Sequence, residues 1–232
     1  MSRVWLIVTG GVLVVLAAGA VQFLFPRTAA SPVSIVFEPS PVENTGTTTP
    51  DIKKITVSSS ARPASRLPSI AKGDTVTSWT FNGAYTGKAD LITKAEAEIK
   101  RLSRLIGEGT YSNMSLHVGI ANQYELLGDG ERAYEYLSRA IGKNENSTSG
   151  LPWHNLGVLM ERLGALETAR MAYEESTLIQ PEMKVYHYAY LEFLTTRVKD
   201  SAADIEKEYT AALKYLGQDS DILQLYAEWK QA

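Results

Sequence analysis

The chain contains no cysteine among its 232 residues, which excludes disulfides, thiol catalysis, most structural zinc sites and a lipid anchor on an N-terminal cysteine. Charge is also sparse, at 21% of residues with a net charge of −3. Residues 1–87 carry 7 Lys and Arg against 4 Asp and Glu, so the remaining residues are clearly acidic. An acidic C-terminal region argues against a nucleic-acid partner, because phosphate contacts need clustered cations.

The sequence also lacks motifs typical of phosphate binding, nucleophilic catalysis or metal binding. Residues 83–88 (GAYTGK) lack the spacing and the final Ser or Thr of a phosphate-binding loop, and no nucleophile elbow occurs. The three histidines, His117, His154 and His187, are separated by 37 and 33 residues, and none forms a short metal-binding pair. We therefore expect a non-enzymatic protein without metal, cofactor or small-molecule substrate.

Two copies of one pattern lie between residues 127 and 181. Gly128 and Gly164 each follow a leucine, and Ala133 and Ala169 each follow five residues later, so the copies are 36 residues apart. A period in the mid-thirties with small residues at fixed offsets indicates an array of helical hairpins. Arrays of this kind usually bind other proteins and rarely catalyse reactions.

The second copy, which begins at Gly150, resembles the tetratricopeptide repeat (TPR). It carries every residue type that this family shares: Trp153, Leu156, Gly157, Gly164, Ala169, Tyr173, Ser176 and Pro181. The resemblance implies that Gly157, Ala169 and Ser176 lie where two antiparallel helices cross, since only small side chains let the backbones approach. Pro181 is expected to end the second helix.

The resemblance extends over roughly residues 112–216. The first copy, from Met114, departs more from the pattern, and a third, from Lys184, needs about two extra residues near 198–201. We expect residues 89–106 to form a helix that packs on the first copy, and residues 220–232 to form a capping helix with Ser220 as its N-cap. The predicted fold is an all-α, TPR-like solenoid of about three hairpins plus flanking helices, spanning residues 88–232.

A long uncharged segment lies near the N-terminus. Residues 4–25 are mostly apolar and long enough to cross a bilayer as a helix, and Arg3 and Arg27 flank them. Residues 1–27 are therefore predicted to be a single-pass signal anchor, with the repeat domain outside the cytoplasm. The alternative is a cleaved signal peptide, because residues 18–20 (AGA) resemble a cleavage site.

Residues 28–87 are rich in Ser, Thr and Pro and are predicted to be a disordered linker. The C-terminal end of this segment differs in composition. It contains the larger side chains Val76, Trp79, Phe81 and Tyr85 around an Asn-Gly turn dipeptide. We expect this aromatic patch to dock on the first helix of the repeat domain. The alternative is a mobile tail with scattered aromatic residues.

In the TPR family, fixed positions on the first helix of each hairpin line an inner groove that binds peptides. The resemblance places a groove at Asn122, Glu125, His154, Asn155, Val158, Arg162 and Tyr188. Its asparagines are expected to lie outside the core, where they either bond a peptide backbone or are ordinary polar residues of the groove.

These observations predict a membrane-tethered scaffold that recruits or organises a protein or peptide partner at the extracytoplasmic face of the membrane. The alternatives are a structural subunit of a cell-envelope assembly, or a secreted TPR protein after signal cleavage. An enzyme is disfavoured.

Overall fold

The computed structural model describes residues 68–143 and 149–232. All regular elements in these stretches are α-helices: α1 (Ala89–Leu105), α2 (Asn113–Leu127), α3 (Gly130–Gly142), α4 (Leu151–Arg162), α5 (Leu166–Ile179), α6 (Lys184–Arg197), α7 (Ala202–Leu216) and α8 (Ser220–Gln231). The predicted all-α class is confirmed for this part of the chain. The predicted anchor, residues 1–27, and most of the predicted linker lie outside the described residues.

The helices are arranged as three successive hairpins. Helix α2 packs against α3, α4 against α5, and α6 against α7, while α3 contacts α4 and α5 contacts α6 to join one hairpin to the next. Helix α1 packs on α2, and α8 packs on α6 and α7. The expected hairpin solenoid with a flanking helix at each end is therefore present.

The crossing of α4 and α5 depends on a missing side chain. A Cβ atom added to Gly157 would lie 2.8 Å from the Tyr173 ring, which is closer than real Cβ contacts. Ala169 and Ser176 on α5 are fully buried, as the TPR resemblance predicts. The helices thus approach closely because Gly157 leaves room for the tyrosine ring, and protein cores tolerate little added volume.

The helix boundaries follow local signals. Helix α2 ends at Gly128, whose φ of 83° is left-handed, and Pro181 separates α5 from α6. The loop between α6 and α7 covers residues 198–201, where the extra residues were expected. The predicted N-cap Ser220 is wrong, because Asp219 caps α8 by accepting from the backbone N–H groups of Asp221 and Ile222. An aspartate carboxylate one residue earlier reaches both donors.

One large core runs through the hairpins. It includes Leu156 and Met160 on α4, Tyr173 on α5, Phe193 on α6 and Ile222 on α8. A smaller cluster of Leu102, Leu116 and Ile120 joins α1 to α2. The prediction that the first helix packs on repeat one is thus confirmed.

Residues 68–87, called the strap from here on, precede α1 and pack against the hairpins. Val76, Trp79 and Phe81 are partly buried against the large core. The aromatic patch docks on the repeat domain, but at the C-terminal end of α2 and the start of α3, so the prediction that it docks on the first helix is wrong. Within the predicted linker of residues 28–87, the backbone and rings of the strap contact the repeat domain.

No helix within residues 68–143 and 149–232 combines the length and apolar character needed to span a membrane. The predicted membrane segment, residues 4–25, lies outside these stretches and stays a prediction.

Candidate inner-face interaction site

Helices α2, α4 and α6 are the first helices of the three hairpins, and the surface they share is called the inner face. The asparagines predicted to line it bond each other: Asn155 Nδ2 donates to Asn122 Oδ1 at 3.0 Å. Asn122 is 2% exposed and Asn155 is 0% exposed. The expectation that they lie outside the core is wrong, because α2 and α4 approach closely enough for the two amides to meet.

This amide pair leads to the first prediction. Asn155→Ala is expected to lower the free energy of unfolding by about 1–3 kcal/mol, because the buried Asn122 carbonyl oxygen loses its donor. Chemical denaturation measures this change. Asn122→Ala combined with Asn155→Ala should cost less than the sum of the single changes, since no orphaned partner remains. Exposed Gln218→Ala is the control, and full stability of Asn155→Ala would contradict the structural role.

Ion pairs join the inner-face helices at their C-terminal ends. Arg162 Nη1 on α4 lies 2.8 Å from Glu125 Oε1 on α2, and Arg197 Nε on α6 lies 3.2 Å from Glu161 Oε1 on α4. Both carboxylates are buried, whereas both guanidinium groups are partly exposed. Since Glu125 and Glu161 are 36 residues apart, the pairs repeat with the hairpins and fix how each one sits on the next.

The carboxylates on the inner face are desolvated. Burial raises the pKa of Glu161, against the hydrogen bond from the Tyr173 hydroxyl and the charge of Arg197, while nearby Glu192 raises it further. The Tyr173 hydroxyl donates to Glu161 Oε2 at 3.0 Å. Burial also raises the pKa of Glu192 on α6. The inner face therefore presents both signs of charge, with the guanidinium groups nearest to solvent.

The other predicted groove residues are divided between core and surface. His154 is 1% exposed, and its ring lies 5.9 Å from that of Tyr173 and 5.1 Å from that of Tyr186. Val158 is fully buried, whereas Tyr188 is partly buried against the large core. Of the seven predicted residues, Arg162 and Tyr188 retain the exposure that a partner needs. The other five are at most 5% exposed.

Comparison with known proteins agrees with this architecture. Over 77 residues the chain is 32% identical to the TPR repeat-containing protein PA0015 of Pseudomonas aeruginosa, a match that covers 33% of this chain and 70% of that protein. The chain belongs to the TPR repeat proteins. No protein-family model matches it, and no solved structure matches significantly.

Several functional candidates of this TPR protein were missed in the sequence. Arg197 pairs with Glu161, although Arg197 was not among the predicted groove residues. The 36-residue spacing of Glu125 and Glu161 was the available signal. Phe81 in the strap also reaches this face, where the Arg162 guanidinium carbon lies 5.0 Å from its ring centroid. Such a contact between a distant segment and the repeats has no sequence period to reveal it.

The three histidines of the TPR domain have separate environments. His117 packs beside Tyr136 at 5.8 Å between ring centroids, and burial lowers its pKa, helped by the charges of Arg139 and Lys143. His187 pairs instead with Glu208 on α7. Among residues 68–143 and 149–232, no three His, Asp or Glu side chains converge as a metal site.

Proposed function

We propose that this TPR protein is a membrane-tethered scaffold that recruits or organises a protein partner at the extracytoplasmic face of a membrane. The stack of three hairpins with TPR similarity is the observation that carries the interaction role, since such arrays present extended surfaces to other proteins. The uncharged run of residues 4–25 between Arg3 and Arg27 supports the tether and its orientation. A non-catalytic role accords with the TPR similarity.

The partner contacts the accessible part of the inner face, on α4 and α6. Tyr188 and Glu192 are partly exposed there, beside the guanidinium groups of Arg162 and Arg197. Each guanidinium has five N–H donors. A single carboxylate oxygen cannot accept hydrogen bonds from all five. This mixture of charge and aromatic surface fits a peptide of modest net charge. Ordering a flexible peptide opposes binding, so we expect micromolar affinity.

A second candidate function is a structural subunit of a cell-envelope assembly. It is favoured by Met171 and Leu178 on α5, which are 49% and 54% exposed. Exposed large apolar side chains on one helix suit a contact with another subunit more than a peptide groove. In this alternative the outer face of α5 would carry the interaction, and the inner face would serve only to hold the repeats together.

Crosslinking in intact spheroplasts tests the proposed function. Tyr188→Ala with Glu192→Gln is expected to reduce capture of the crosslinked partner roughly tenfold, since central aromatic and charged residues carry much of an interface's binding energy. Protease added before the crosslinker should remove the repeat domain and abolish capture. Full protection from that protease would reverse the proposed orientation.

Met171→Ala with Leu178→Ala is the matched control, because it truncates two side chains on α5. In the proposed function this control captures the partner at wild-type strength. The reverse result, with capture lost in the α5 variant and kept in the α6 variant, would establish the assembly-subunit alternative. Circular dichroism spectra of both variants must match the wild type for the comparison to apply.

A further inference from the structure

Helix α5 receives its N-terminal cap from the strap. Its own N-cap position is Ala165, whose side chain has no acceptor, whereas the Asp129 side chain fills the equivalent position of α3 and accepts from the backbone N–H of Arg132. Asp74 Oδ2 accepts instead from the backbone N–H of Thr168 at 2.7 Å and from its hydroxyl at 2.6 Å. A carboxylate from 94 residues upstream thus satisfies a helix N-terminus.

The strap also pairs with the backbone of the first hairpin. Phe81 N–H donates to Gly128 O at 3.1 Å, Gly130 N–H donates to Trp79 O at 2.7 Å, and Tyr85 N–H donates to Leu126 O at 3.0 Å. A Cβ atom at Gly83 would lie 2.2 Å from the Leu126 carbonyl oxygen. Main-chain hydrogen bonds from a peptide segment to the edge of a domain are a known mode of peptide recognition.

Side chains complete the contact. The Trp79 and Tyr134 rings lie 5.4 Å apart at their centroids, and the Tyr134 hydroxyl donates to the Pro68 carbonyl oxygen at 2.7 Å. Beyond Tyr85 the contact ends: a Cβ atom at Gly87 would meet nothing within 4 Å, and its φ is 76°. The strap is therefore joined to α1 through a glycine that is open to solvent and suited to act as a hinge.

From these contacts we propose a second peptide-binding surface, which meets the inner face where Phe81 lies against Arg162. It consists of the α2–α3 turn, Tyr134 and the N-terminus of α5, and residues 68–85 occupy it as an internal ligand. It recognises a segment with a carboxylate that caps α5, an aromatic ring five residues later and a glycine at the closest approach. A short tether gives the strap a high effective concentration, so the surface stays closed to competing segments until the strap lifts at Gly87.

The test uses the full chain and a fluorescent peptide of residues 68–86. The strap is disabled by Asp74→Asn, Trp79→Ala and Phe81→Ala, and binding is followed by fluorescence anisotropy. The peptide is expected to bind this variant at least about tenfold more tightly than the wild type, whose surface is occupied. A control peptide with Asp74→Asn and Gly83→Ala should not bind. Equal binding of both peptides, or of both chains, would overturn the proposal.

A second version keeps every strap contact intact. A protease site inserted at Gly87 allows cleavage that turns the bound strap into a separate peptide. After cleavage the labelled peptide should exchange onto the folded chain, and excess unlabelled peptide should displace it. If the cleaved chain stays folded and accepts no peptide, the strap is a permanent part of the fold and the surface is not a binding site. If the strap-disabled variant does not fold, this second experiment still tests whether the surface binds a peptide.

Discussion

Truncating Glu208 to alanine is expected to lower the free energy of unfolding by about 3 kcal/mol, because it breaks a buried pair between α6 and α7. His187 Nδ1 lies 2.5 Å from Glu208 Oε1, and both side chains are almost fully buried. The other ring nitrogen, Nε2, lies 2.8 Å from the Pro181 carbonyl oxygen. A carbonyl oxygen only accepts, so Nε2 carries a proton.

A second proton must then lie between His187 Nδ1 and the Glu208 carboxylate. With Nε2 protonated, a neutral imidazole would direct the Nδ1 lone pair at the carboxylate, which is repulsive. The pair therefore exists as imidazolium with carboxylate, or as imidazole with carboxylic acid. Burial acts to lower the pKa of His187, but the hydrogen bond and charge of Glu208 outweigh it and raise that pKa above the ordinary value of 6.5.

The direction of the pH dependence follows from this raised pKa. The folded state binds the proton more tightly than the unfolded state, so the stabilisation is complete below pH 6.5 and disappears as pH rises through the folded pKa of His187. Burial also raises the pKa of Glu208, against the hydrogen bond from His187, with Glu174 raising and Lys207 lowering it. Both shifts therefore predict that stability falls as pH rises, because each raised pKa means that the folded state holds the proton more tightly.

Urea denaturation between pH 5 and pH 9 measures both effects. The wild type should lose stability as pH rises, whereas Glu208→Ala should be less stable at pH 6 and show a weaker decline. Glu96→Ala, on the exposed surface of α1, is the control and should follow the wild-type curve. A Glu208→Ala chain as stable as the wild type at pH 6 would contradict a protonated pair.

The second large effect concerns the crossing of α4 and α5. Ala169→Leu is expected to destabilise the fold by about 1–3 kcal/mol, because three added carbon atoms must enter a packed interface. Ala169 is fully buried, and a Cβ atom at Gly157 on the facing helix would already meet the Tyr173 ring at 2.8 Å. Thermal unfolding should show a lower midpoint for Ala169→Leu and also for Gly157→Ala.

Ala227→Leu on the exposed side of α8 is the matched control for overpacking. It adds the same three carbon atoms at a position where the side chain extends into solvent. Its unfolding midpoint should therefore stay within experimental error of the wild type. An unchanged midpoint for Ala169→Leu would mean that the side chain does not face α4. The repeat register derived from Gly157 and Tyr173 would then be wrong.

The hairpin register could be predicted from the sequence for a specific reason. Gly157, Ala169 and Ser176 are small because two backbones meet beside them, and this requirement recurs wherever a TPR hairpin forms. The loop insertion near residues 198–201 and the helix break at Pro181 were visible for the same reason. These features depend on residues within one hairpin, so local spacing contains the information.

The burial of the polar inner-face residues could not be predicted from the sequence. Family positions placed Asn122, Asn155 and Glu125 on the inner face, but their burial depends on how closely α2 approaches α4. That distance is set by the packing of whole hairpins, to which many side chains contribute small amounts. A polar side chain looks the same in sequence whether it faces solvent or a neighbouring amide. The prediction of exposure therefore failed although the helix positions were right.

By itself, the sequence determined the all-α class, the three hairpins and their small-residue crossings, because each rests on a period of 36 residues or on a local helix signal. Tertiary structure alone decided that Asp74 caps α5, that His187 shares a proton with Glu208, and that inner-face carboxylates pair with arginines of the next hairpin. The Asp74 and His187 contacts join residues that no period relates, whereas the ion pairs repeat with the hairpins but could not be located without the structure. They form only when chain folding brings a donor and an acceptor within about 3 Å in a desolvated place.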